Sequence, residues 1–217
     1  MRFIVLLSII FASALHAETI YTPEKNLIIR QEFAPNAKEL ADQIRTPYIK
    51  VVKEQINFNR GSVYDTMMQA IELVELIVNS ETFKEQVIGY MNTSGQRAFT
   101  RNEGLSNEEV YLRLMEGREV LDQETPGEMN LYIQQYNRWW SKVIGYTKIG
   151  KSKWIWVNWK FYKNFDASEI AGNVVHEWIH LMGFYHDSAS DHDSVPYAVG
   201  YIARNLISEY IRTGHIN

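Results

Sequence analysis

The 217-residue chain is 46% hydrophobic and 22% charged, carries a formal net charge of −4 and contains no cysteine. That composition excludes a disulfide framework and a lipid-carrying thiol, and so modest a charge, without a basic stripe or a recognition motif, argues against nucleic acid as a partner. The length suits one domain that buries a sizeable core without cross-links.

Met1 and Arg2 precede an apolar run over residues 3–15, with small side chains at Ala12, Ala14 and Ala17. This is the pattern of a signal peptide over residues 1–17, too short to span a membrane stably, with cleavage after Ala14 or after Ala17. No second long apolar segment follows. The expectation is an exported protein, periplasmic or extracellular, monomeric and without a membrane anchor. Residues 18–59 mix short apolar runs with Pro23, Pro35 and Pro47, and a strand at 27–30 and a helix near 38–44 are expected there. That region either wraps the domain or forms a removable pro-segment.

Ser62 and Asp65 open a helical pattern through Val63, Met67, Ala70, Ile71 and Val74, interrupted at Ser80 and resumed by Phe83, Val87 and Ile88. Ser106 and Glu109 form a capping box for a helix continued by Val110, Leu114, Val120 and Leu121, with Gly117 weakening it. The methionines at 67, 68, 115 and 129 read as core filler. After Pro126-Gly127 the period changes from helix to sheet. Met129, Leu131 and Ile133 alternate, Val143 and residues 145–147 follow, and residues 153–162 form the clearest strand. Its alternation places Ile155, Val157, Trp159 and Phe161 on one face and Trp154, Trp156, Asn158 and Tyr162 on the other. Trp154 and Trp156 either pack under a helix or border a substrate cleft.

Asp166 and Glu169 make a second capping box, for a helix whose packing stripe is Ile170, Val174, Trp178 and Leu181 and whose end is expected at Gly183. On it lies the most informative feature of the chain, the run His176-Glu177-Trp178-Ile179-His180-Leu181-Met182-Gly183-Phe184-Tyr185-His186. Residues four apart on a helix stand one above the other, so His176 and His180 can offer ring nitrogens to one ion. Glu177 stands beside the first of them, where a carboxylate can take a proton from water without completing the coordination sphere. Gly183 lets the chain leave the helix and bring His186 back as a third ligand. Three histidines leave a fourth position for water, the mark of a catalytic rather than a structural zinc site. Beyond a polar loop with Asp187, Asp191, His192 and Asp193, a closing helix runs through Ala198, Ile202, Leu206, Ile207 and Tyr210.

The motif HExxHxxGxxH resembles that of the metzincin clan of zinc metallopeptidases, with the resemblance covering mainly residues 153–211. It implies an α+β zincin: an upper subdomain of twisted mixed sheet and long helices over 60–183, an active-site helix, and a small lower subdomain over 184–217. It also implies a cleft in which residues 153–162 act as the edge strand beside an extended protein or peptide substrate, with Trp154 and Trp156 contacting side chains. One departure stands out, because metzincins carry a methionine in a tight turn below the histidines and no methionine follows Met182 here. Ser194-Val195-Pro196-Tyr197 lies where that turn is expected. Val195 is the substitute in the apolar floor, and Tyr197 is similar in position to the zinc-proximal tyrosine of astacins and serralysins.

The function this implies is a zinc endopeptidase, with Zn2+ held by His176, His180 and His186, Glu177 moving the proton, and Tyr197 donating to the oxyanion. Two alternatives remain. One is a zinc-containing binding or inhibitory protein without turnover; the other is an amidase or peptidase acting on cell-wall peptides.

Overall fold

The computed structural model describes residues 48–58 and 61–215. The signal peptide, the strand at 27–30, the helix near 38–44 and residues 18–47 of the wrapping or pro-segment lie outside these residues, whereas residues 50–57 of that segment form a strand of the sheet and are not removable. Four strands, β1 (Lys50–Asn57), β2 (Glu128–Tyr136), β3 (Gly145–Thr147) and β4 (Trp154–Asn158), form one sheet in the order β1-β2-β4-β3. β1, β2 and β4 run parallel and β3 lies antiparallel on the edge, so the sheet is mixed and the fold α+β.

Among the described residues six helices accompany the sheet: α1 (Gly61–Val78), α2 (Glu81–Ile88), α3 (Asn107–Glu116), α4 (Trp159–Tyr162), α5 (Ala167–Leu181) and α6 (Val195–Thr213). Met129, Leu131, Ile133, Ile155 and Val157 supply the fully buried face of the sheet, as their period of two requires. Met67, Ile71, Val74, Ile170, Val174, Trp178 and Val199 from the long helices are buried with them. Burial of that many large apolar side chains is the main drive to the fold.

The local signals act as the sequence dictates at several points. Ser80 caps α2 through Phe83, and Ser106 with Glu109 and Asp166 with Glu169 form complete capping boxes. Four elements depart from expectation. Ser62 does not cap α1 but lies within it, since the helix already begins at Gly61. The helix carried by Val110 does not reach Leu121: it stops at Gly117, which adopts a left-handed conformation, and Val120 and Leu121 lie exposed beyond it. The strand expected over 153–162 ends at Asn158, whose side chain accepts from the Lys160 amide and starts the short helix α4. Trp159 and Phe161 therefore leave the alternation. The expected turn at 194–197 is instead the first turn of α6, with Ser194 as N-cap and Pro196 in a position that needs no amide donor.

The crossing of α5 and α6 depends on two glycines that no local motif marks. A Cβ on Gly172 would sit 3.0 Å from the Gly200 carbonyl oxygen, and one on Gly200 would sit 2.9 Å from that of Gly172 and 3.1 Å from the His176 Cβ. Backbones can approach this closely only where neither carries a side chain.

Candidate metal centre

α5 carries His176 and His180 on one face, and both are buried. Each helix ligand has one ring nitrogen committed to a carbonyl. His180 Nδ1 lies 2.8 Å from the Phe184 carbonyl oxygen, which only accepts, so Nδ1 carries the proton and Nε2 keeps its lone pair. His176 hydrogen-bonds the backbone of Pro196, a residue with no amide hydrogen, and therefore also donates. Such outer partners orient metal-ligating imidazoles and fix their tautomers.

Gly183 leaves α5 at φ 96°, and His186 returns to place its Nε2 3.3 Å from that of His176. One ligand nitrogen from each of His176, His180 and His186 lies within 4.8 Å of the others, a cluster able to hold a metal ion. Burial holds the His176 pKa down to about 3, with His180 and His186 adding to the depression. Burial likewise lowers His180 to about 4 and moves His186 in the same direction. Neutral rings with lone pairs converging on one point are the donor set that a divalent N-ligated ion requires, so the residues fit zinc.

Glu177, next along α5, is buried against β3. Its Oε1 lies 2.9 Å from where a Cβ on Gly145 would stand, and Asn173, one turn earlier, hydrogen-bonds the carboxyl. Asn173 Oδ1 in turn accepts from the buried Tyr162 hydroxyl at 2.7 Å. Burial raises the Glu177 pKa to about 8 against the lowering by its hydrogen bonds, and Oε2 has no protein partner. The carboxyl is held in place by few partners and left one oxygen free for a further donor.

The sequence missed what supports this helix from outside. Arg113 of α3 donates to the Met182 carbonyl, at the C-cap of α5, at 2.8 Å and lies over the Phe184 ring. Glu119 is buried beneath the helix, where it accepts from the Trp178 indole at 3.2 Å and the Asn130 amide at 3.0 Å. No periodic or motif signal marks either residue.

The loop after His186 is held differently. Asp193 accepts from the Tyr90 hydroxyl at 2.6 Å and from the amide and hydroxyl of Thr93, Thr100 donates to Asp191 at 2.7 Å, and Arg101 pairs with Asp187. These contacts tie residues 187–193 to residues 90–101. Val195 is fully buried, and the Tyr197 ring packs 4.5 Å from that of His176 and 4.6 Å from that of His186. Tyr197 thus joins the histidines, and burial, then Tyr201 and Glu177, raise its pKa.

Trp154 and Trp156 do not share the buried face. Trp154 packs edge-on against Tyr132, while Trp156 stacks on Tyr146 of β3 at 5.0 Å and lies under the Lys148 ammonium. The expectation that residues 153–162 form an open edge is corrected by the strand order. β4 is bonded to β2 on one side and β3 on the other, so its backbone is consumed, and the edge belongs to β3. Alternation in sequence reports which face a side chain takes, not which strand lies beside it.

No family model matches the chain, and no curated protein and no solved structure matches it either.

Proposed function

We propose that this protein is a zinc-dependent endopeptidase, a divergent metzincin-like zincin acting on extended protein or peptide substrates. The observation that carries the reading is the convergence of His176 and His180 of α5 with His186 of the following loop, Glu177 standing next to His176 on the same buried helix. The mixed sheet with an antiparallel edge and the sequence resemblance support it. A zinc ion bound there would polarise a substrate carbonyl and acidify a water. His176, His180 and His186 would hold the ion, and Glu177 would take a proton from the attacking water and pass it to the leaving amine. Tyr197, packed against two of the ligands, would donate to the developing oxyanion. The edge of β3 offers unpaired backbone groups to an extended peptide, with Trp156 backing Tyr146 on that strand.

On this reading residues 1–17 direct export to the periplasm or outside the cell, and residues 18–217 form one monomeric unit with an upper part to 183 and a lower part beyond it. A wrapping or removable segment within residues 18–59 would have to end before β1, which is bonded into the sheet.

A second reading, a protein that holds metal without turnover, is favoured by one observation: the Glu177 carboxyl is withdrawn from water, against Asn173 and Gly145. E177Q separates the two. Metal content by elemental analysis should stay at the wild-type level while chelator-sensitive cleavage of a mixed peptide library falls by about 10² to 10⁴. H180A should lose both. No chelator-sensitive cleavage by either protein selects the non-catalytic reading, equal cleavage by both removes Glu177 from the mechanism, and products confined to wall-derived peptides select the amidase alternative.

A further inference from the structure

The modest net charge conceals a strong asymmetry. Between Glu128 and Asp166 the chain contains seven of its 22 basic residues, none of its 26 acidic ones and five of its six tryptophans. At the tip of this segment, between β2 and β3, Trp139 is 74% exposed, Trp140 67%, Val143 47% and Ile144 36%. Arg138 and Lys142 stand exposed among them. Four large apolar side chains on one short loop form a concentration that scattered surface hydrophobes do not produce.

The loop is built to present them. Asn158, fully buried at the end of β4, accepts from the Arg138 amide and donates to the carbonyls of Arg138 and Val143, and its own amide donates to the Ile144 carbonyl. Lys160 donates to the Ser141 carbonyl at 2.8 Å, and the Ser141 amide closes a turn on Arg138. Backbone groups of Arg138, Ser141, Val143 and Ile144 are thus tied inward while both indoles stay exposed, so little ordering remains to be done when the tip meets a partner.

We propose that this tip is a peripheral docking surface for an anionic phospholipid bilayer. Charge complementarity carries the choice: Arg138 and Lys142 stand exposed among the apolar side chains of the tip, whose own segment supplies no carboxylate, and such cations are attracted to anionic headgroups. Indole rings suit the headgroup level, and Val143 and Ile144 suit the acyl boundary just below it. A single-stranded nucleic acid would use parallel stacking platforms, whereas Trp139 and Trp140 meet at 89° and the two aliphatic side chains would have no base to stack on.

Flotation of the full chain with phosphatidylglycerol–phosphatidylcholine vesicles, and with phosphatidylcholine alone, tests this. The wild type floats with the anionic vesicles, less so in high salt, and weakly or not at all with the neutral ones. W139S/W140S, checked for native far-UV circular dichroism, binds the anionic vesicles about tenfold or more weakly, and K142E falls between. E177Q floats as the wild type does, because the surface is independent of the metal centre. Lipids brominated along the tail quench wild-type tryptophan emission and spare the double variant. Failure of the wild type to float, or equal flotation of W139S/W140S, overturns the proposal. So does capture of a single-stranded oligonucleotide through the same indoles without vesicle binding, or a rise in KM for peptides in W139S/W140S with no change in vesicle affinity.

Discussion

The two ligands on α5 and the one on the following loop are held by different physics. His176 and His180 stand on a helix whose other faces are buried in the core and pressed against α6, so their positions follow from close packing. His186 sits at the start of a polar loop that hydrogen bonds and an ion pair tie to residues 90–101. Core packing is shared by the whole fold whereas these bonds hold one loop, so damage on the helix side should lower global stability, and damage on the loop side should loosen the metal while the fold stands.

Tyr197 touches both sides, and its loss should therefore be seen in chemistry rather than in stability. Tyr197→Phe keeps the ring against His176 and His186, and should lower kcat and kcat/KM together by about 10² to 10³, with zinc content unchanged. Near-wild-type rates would leave Tyr197 as the floor of the site.

On the helix side, Glu119 gives a pH signature. Burial raises its pKa to about 7, so between the unfolded carboxyl value and that point the folded state binds the extra proton. Its stabilising contribution is then full below the unfolded value and is lost as pH rises through 7, by about 3 kcal/mol in all. Denaturation of wild type and Glu119→Gln across pH 4 to 8 should give a difference that moves by that amount against the wild type. A difference flat with pH would place the Glu119 carboxyl in water.

Gly200→Ala probes the packing directly. Its methyl would meet the Gly172 carbonyl and His176 below ordinary contact distance, and overpacking of this kind costs about 1 to 3 kcal/mol, readable as a lower denaturation midpoint. Asp193→Ala is the loop-side counterpart. It removes the acceptor shared by Tyr90 and Thr93, and should weaken zinc about tenfold in a chelator competition while shifting Tm less than Gly200→Ala does. A larger stability loss in Asp193→Ala than in Gly200→Ala would reverse the contrast between the two regions.

The ligand-bearing segment was legible in the sequence because its requirements are local. A helix period of four sets the spacing of His176 and His180, a capping box starts α5, and Gly183 marks its end. The strand at residues 153–162 was half legible: Ile155 and Val157 face the core as alternation demands, but Asn158 turned the chain into α4 by capping it. Asn caps a helix or sits in a strand with no difference in local pattern, and the choice here is tied to its bonds with Arg138 and Val143, twenty and fifteen residues away.

By itself, then, the sequence determined the elements whose signals lie within one or two turns: the capped helices, the alternating strands, the histidine spacing and the glycine exit. Only the tertiary structure decided that β3 rather than β4 takes the sheet edge, that Gly172 and Gly200 meet, that Arg113 and Glu119 brace α5, and that residues 90–101 hold the third-ligand loop. Each of these joins groups far apart along the chain. Such pairings are selected by the free energy of the whole packed arrangement, which no local window of residue types contains.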